Sequence, residues 1–124
     1  MDEQIINKTT YTEWDWSEGN YKKSAPPKFT AKWPLDTYFK PVNGKLDFDV
    51  DVTGCNSSPT IGIYQYNPSN GSTTFKDSRI IPATDASKLN YQLMDSFSVS
   101  NNNYYTFILL STSNWTTATL KISK

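Results

Sequence analysis

Asp47, Asp49 and Asp51 occupy every second position of the segment KLDFDVDVTG, and carboxylates in such a row suggest two kinds of chemistry. The first is binding of a divalent cation. Alternate residues of a strand lie roughly 6.6 Å apart, at about 3.3 Å per residue, whereas calcium gathers oxygens at about 2.3–2.6 Å around one centre. One straight strand therefore cannot chelate with all three. A site would need a further acid, such as Asp77 or Asp95, together with loop carbonyls. The second is glycoside hydrolysis, in which two carboxyl groups about 5.5 Å or 6.5–9.5 Å apart flank the bond and one has a raised pKa. The spacing is nominally compatible, but a flat wet strand neither buries an acid nor encloses a sugar. The expectation is a solvated face paired with lysines of a neighbouring strand, with no metal, no cofactor and no catalytic residue.

Other residue types narrow the chemistry further. The chain has no histidine, which removes Ser-His-Asp triads, Cys-His pairs and histidine acid–base work. Cys55 is the single cysteine, so neither an internal disulfide nor a cysteine zinc site can form. It follows Thr53-Gly54 and precedes Asn56-Ser57-Ser58-Pro59, a turn-like setting in which an accessible, reactive free thiol is expected. Lys+Arg and Asp+Glu both number 12, for a net charge of zero. That balance lacks the basic footprint of a nucleic-acid binder. It is locally uneven: residues 1–20 carry −4, residues 21–45 carry +5 and residues 46–53 carry −3, as expected of acidic and basic strands paired across a sheet. No apolar run reaches the 18 or so residues of a membrane span.

Aromatic residues make up 15% of the chain, and they divide into two sets. Tyr11, Trp14, Trp16, Tyr21, Trp33, Tyr38 and Phe39 crowd the first 40 residues. Alternation in YTEWDWS places Trp14 and Trp16 on one face and Glu13, Asp15 and Ser17 on the other. That face is expected to be core, where Trp→Ala costs on the order of 3–5 kcal/mol. Tyr64, Tyr66 and Tyr104 are expected on outward strand faces, where aromatic rings can stack on a ligand; these three are the candidate ligand-binding residues.

The elements that must carry these groups read as strands. In KLDFDVDVTG, Leu46, Phe48, Val50 and Val52 alternate with the aspartates, the pattern of a half-buried strand. TIGIYQY (60–66) leads into the turn sequence NPSNG (67–71), TTFKDSRII (73–81) ends at Pro82, and SFSVS (96–100) turns Phe97 and Val99 inward. Asn101-Asn102-Asn103 then reads as a hairpin loop into YYTFILL (104–110), which is apolar on both sides and hence central. TTATLKIS closes the chain with Ala118, Leu120 and Ile122 inward, after a turn at 112–114. Upstream, YTEWDWS and KFTAKW (28–33) are further strands, and Pro26, Pro27, Pro34 and Pro41 punctuate a mixture of edge strand and loop. The sole helical turn expected lies in residues 83–90, capped by Asp85. The whole is a single all-β domain over 1–124: an antiparallel β-sandwich of about eight strands, jelly-roll or immunoglobulin-like.

From residue 46 to 122 the order of features, KLDFDVDV, PTIGIYQYNPSNG, SFSVSNNNYYTFILL and TATLKI, resembles the bacterial pre-peptidase C-terminal domain family. These are small jelly-roll-like sandwiches appended to secreted proteases and other exported proteins. The resemblance implies an accessory or binding role; the first 45 residues have no counterpart in it. Ser and Thr total 29 and Asn 11, with a single Arg, a composition expected of an extracellular bacterial protein. MDEQIINKTT lacks the basic and apolar regions of a signal peptide, so the expectation is an exported protein with its signal removed. The functional expectation is a non-catalytic module that binds a carbohydrate or another protein's surface. The alternative is a protein-directed effector: an inhibitor, an immunity factor or a structural surface protein.

Overall fold

The computed structural model describes the backbone of residues 2–5, 11–15, 31–34, 37–111 and 115–123, and the side chains of residues 37–111 and 115–122. Eleven strands lie among them: β1 (Asp2–Ile5), β2 (Tyr11–Asp15), β3 (Ala31–Pro34), β4 (Thr37–Lys40), β5 (Lys45–Thr53), β6 (Thr60–Tyr66), β7 (Thr73–Ile80), β8 (Ala83–Asp85), β9 (Asn90–Ser98), β10 (Tyr104–Ser111) and β11 (Thr117–Ser123). Seven of these have five residues or more and build the two layers; β1, β3, β4 and β8 are shorter flanking pieces. The first sheet runs β1-β4-β10-β6-β7, with β3 also paired to β10, and the second runs β2-β11-β5-β9-β8. All pairings are antiparallel except β1 with β4. The chain is the antiparallel β-sandwich that the alternation implies.

Period-two patterning decides which side chains enter the core. In β5, Leu46, Phe48, Val50 and Val52 are buried while the intervening residues are partly wet. On β11, Ala118, Leu120 and Ile122 stand opposite Val52, Val50 and Phe48 and are fully buried. The other layer contributes Phe39, Ile61, Ile63, Tyr105, Phe107 and Leu109. Strand β10 is central, between β3 and β4 on one side and β6 on the other, which accounts for its apolar residues on both faces. The register of β2 on β11 sets Trp14 opposite Leu120; Trp16 lies outside the described residues.

Aromatic rings join the layers. Phe107 of the first sheet meets Phe48 and Phe97 of the second at centroid separations of 5.9 and 6.1 Å, and Phe39 packs on Phe107 at 5.8 Å. Beside them Arg79 on β7 bonds Asp77 at 2.6 Å, reaches Asp95 on β9 at 3.5 Å and covers the Phe97 ring at 4.8 Å. The one arginine of the chain thus ties the two sheets along one edge.

Two expectations about connections are corrected. Residues 101–103 are not a hairpin loop, because β9 belongs to the second sheet and β10 to the first. The segment is an arch between layers, held by Val99 N–H to the Gly44 carbonyl (3.0 Å) and Ser100 N–H to the Tyr105 hydroxyl (3.0 Å). Alternation is identical on either side of an arch or a hairpin, so the pattern does not distinguish them. The second correction concerns Cys55. It does lie in the loop after β5, yet its side chain is buried in the core, with Sγ 3.1 Å from the Ser111 hydroxyl. The cause is the turn before it. Gly54 has φ +77°, its N–H bonds the Leu89 carbonyl at 2.9 Å, and a Cβ there would collide with the Thr116 side chain. The chain therefore folds inward at 54–55. The capped turn is found as expected: Ala86–Lys88 is a 3-10 turn whose N-cap Asp85 accepts from Ser87 N–H. The 112–114 turn lies outside the described residues.

Burial makes Cys55 inert in the folded protein. A thiol reagent is expected to titrate no thiol natively and one equivalent in denaturant; rapid native reaction would contradict the buried placement.

The Arg79 guanidinium, helped by the Ser78 amide, holds the Asp77 carboxyl below its ordinary value. Because the folded-state value is lowered, this contribution is complete above about pH 4 and is lost as pH falls through the folded value. Urea midpoints followed from neutral pH into acid should fall slightly more for the wild type than for Asp77→Asn. Parallel curves would show that the clamp contributes nothing. The effect is small because both partners are solvent-accessible.

Candidate binding face

The same pleat that buries the core exports two opposite faces. On the outside of the second sheet lie Asp47, Asp49 and Asp51, with Gln92, Met94 and Ser96 opposite them on β9 and Lys121 opposite Asp49 on β11. Asp47 pairs with Lys45 of its own strand at 3.7 Å, and Asp49 accepts from the Gln92 amide at 3.1 Å. A shallow depression of about 460 Å³ lies here beside the exposed Met94. Among the described residues no three acidic or cysteine side chains come together as a metal site. The lysine pairing described on this face comes from the aspartates' own strand, Lys45 with Asp47, while Lys121 of β11 only stands in register with Asp49.

The outside of the first sheet is aromatic. The register of β10 on β6 sets Tyr104 directly opposite Tyr66, and Tyr38 of β4 joins them. Its ring stacks on Tyr66 at 4.6 Å and meets Tyr104 edge-on at 5.2 Å. Lys40 Nζ lies 5.5 Å from the Tyr104 ring centre. Tyr64 pairs instead with Phe75 on β7, edge-on at 5.5 Å. Beyond Tyr64 along β6, Gly62 faces Ile108, where an added Cβ would press on the Ile108 side chain at 3.0 Å. All four tyrosines are half-buried, and Phe75 is 53% exposed. At about 4.8 Å per strand, the row from β4 to β7 spans about 14 Å.

Of the three tyrosines singled out from sequence, Tyr66 and Tyr104 are brought together, while Tyr64 sits with a different neighbour on the same face. Tyr38 belonged to the N-terminal aromatic set, which the structure splits: Tyr38 faces out and Phe39 is fully buried. Tyr21 lies outside the described residues, as do the side chains of Tyr11, Trp14 and Trp33. Phe75 was not anticipated. Its neighbours in TTFKDSRI are polar, and β7 contains a bulge opposite Ile63 and Tyr64 of β6 that interrupts alternation.

Beyond Tyr66 and Tyr104 the strands end in two loops that enclose a notch of about 350 Å³, lined by the two tyrosines with Gln65, Asn67, Asn102 and Asn103. Both loops are tied down. In residues 67–72, Asn67 accepts from Gly71 N–H at its carbonyl (2.7 Å) and from Ser69 N–H at its side chain (2.9 Å). In the arch, Asn101 Oδ1 accepts from Gly44 N–H at 2.7 Å, and the Ser100 hydroxyl accepts from Asn102 N–H at 3.2 Å. Aromatic rings beside amide groups in a fixed frame can take a ligand with an apolar face and a hydroxyl rim.

No protein-family model matches the chain, and no curated protein matches it. Among solved structures it is similar to the pre-peptidase C-terminal domain of the collagenase of Bacillus anthracis. That likeness has 12% identity and a TM-score of 0.40 over 98% of this chain and 91% of the other. The resemblance read in residues 46–122 is to the same type of domain. No helix among the described residues is long and apolar enough to cross a membrane.

The aromatic face should contribute little to folding. Tyr64→Ala and Tyr66→Ala are each expected to cost about 1 kcal/mol, mainly through a lost ring pair. Phe97→Ala, fully buried, is expected to cost about 3–5 kcal/mol. Urea denaturation of the three variants checks this; a Tyr66→Ala cost equal to that of Phe97→Ala would place the tyrosine among the core residues.

Proposed function

We propose that this chain is a non-catalytic, extracellular binding module of bacterial origin that holds a carbohydrate on the outer face of the first sheet. The observation that carries the reading is the meeting of Tyr38, Tyr66 and Tyr104 on three adjacent strands, beside a notch lined by Asn and Gln. A sugar ring presents an apolar C–H face and a rim of hydroxyls. Tyrosine rings meet the first and carboxamides, which donate and accept, meet the second.

The competing reading is a protein-directed effector. It is favoured by the exposed apolar residues Ile80 (70%), Met94 (69%) and Phe75 and by the long edge strand β7. These apolar groups are divided between the two sheets rather than gathered in one patch. The β7 edge also carries a bulge and the clamp residues Asp77 and Arg79, features that discourage strand addition. Carbohydrate is therefore the preferred ligand.

Retention on insoluble polysaccharides tests the proposal. Wild-type protein should be retained on at least one matrix among cellulose, chitin, starch and bacterial cell wall. Tyr66→Ala and Tyr104→Ala should elute freely while keeping the wild-type circular dichroism spectrum. Unchanged retention of both variants, or no retention of the wild type on any matrix, would overturn it.

A further inference from the structure

The notch is one of two depressions at this end of the sandwich. The second, about 470 Å³, opens between the sheets beside β7 and is lined in part by Ile63, Lys76, Ser98 and Val99. Gln65 and Asn103 line both. The two spaces therefore adjoin at this pair, and a ligand seated on Tyr66 and Tyr104 would abut the mouth between the layers at Gln65 and Asn103. Each volume is at the small end of ordinary ligand sites, near the size of one ring. Among the described residues the side-chain amides of Gln65, Asn102 and Asn103 make no hydrogen bond with the protein, so their donors and acceptors are available where the spaces join.

Charge defines the ligand further. Among the described residues the notch has no charged lining residue, and the nearest charge placed against its tyrosines is Lys40 Nζ, 5.5 Å from the Tyr104 ring centre. The inner space has Lys76 and Asp77, of opposite sign. Among the described residues neither lining carries a net charge, so neither selects strongly for an anionic or a cationic ligand.

From this we infer that the site takes an uncharged oligosaccharide of at least two sugar units, bound end-on: one unit lies on Tyr66 and Tyr104 and the next is turned over Gln65 and Asn103 into the space beside Ser98. The inference rests on the carbohydrate reading above and specifies its ligand; a flat chain lying across Tyr64 and Phe75 is a different mode.

Calorimetric titration tests it with neutral monosaccharides (glucose, galactose, mannose, N-acetylglucosamine) and their linear tetrasaccharides. For the sugar series that binds, the tetrasaccharide is expected to bind about tenfold more tightly than its monosaccharide, the equivalent of one or two net hydrogen bonds. Its affinity should be nearly the same at low and high salt. Gln65→Ala should weaken the tetrasaccharide about five- to tenfold. Ser98→Trp fills the inner space at an exposed position; it should erase the chain-length advantage and leave the monosaccharide unaffected. A chain-length advantage that survives Ser98→Trp, or that is lost in Phe75→Ala but not in Gln65→Ala, overturns the end-on mode and leaves carbohydrate binding standing. Failure of every probe to bind the wild type at millimolar concentration overturns both.

Discussion

The contact of Phe107 with Phe48 and Phe97 is the interaction on which the rest of this protein depends. It is where the two sheets meet, and most strand connections in the described chain cross from one sheet to the other rather than turning back within one. A sandwich connected in this way has few local hairpins to hold either layer alone. The layers are stable together because each buried ring removes a large apolar surface from water, worth about 1.5–3 kcal/mol per side chain, and the rings pack in tilted or edge-to-face geometries. Arg79 closes the open side of this core, with its guanidinium over Phe97 and its ion pairs split between the two sheets.

A pleated strand with one side fixed in the core has no freedom on the other. Once Ile61, Ile63, Phe107 and Leu109 are buried, Tyr64, Tyr66 and Tyr104 must face outward. The β10–β6 register then places Tyr66 and Tyr104 side by side. The aromatic face is in this sense a consequence of the core. The loops add what the strands cannot supply: amide groups, held in place by the short backbone hydrogen bonds of the 67–72 turn and of the 99–103 arch.

Much of this was legible in residue order. The strands β5, β6, β10 and β11 alternate cleanly or are apolar throughout, and their buried residues are those the pattern names. Asp85 caps the turn its position suggests. What was not legible depends on partners distant in sequence. Asn101-Asn102-Asn103 has the composition of a hairpin turn, and the sheet to which the next strand belongs is decided by tertiary packing. Cys55 has polar neighbours, yet the left-handed Gly54 and the approach of Thr116 turn it inward. The segment 90–95 escapes notice because Leu93 is only half-buried and Met94 faces solvent. Pairing of Tyr38 with Tyr66 and Tyr104 joins strands more than 25 residues apart in sequence, and no local spacing signals it.

Two faces compete for the role of ligand surface: the aromatic one and the acidic one around Asp49, Met94 and Lys121. Their chemistry differs enough for a single experiment to separate them. Amide chemical shifts of the isotopically labelled protein, followed during titration with a neutral tetrasaccharide, report the contact surface residue by residue. Shifts confined to residues 64–69 and 102–106, with smaller ones at 98–100, are the predicted result. Shifts centred on Asp47, Asp49, Met94 and Lys121, or running along β7 without reaching Tyr66, would contradict it.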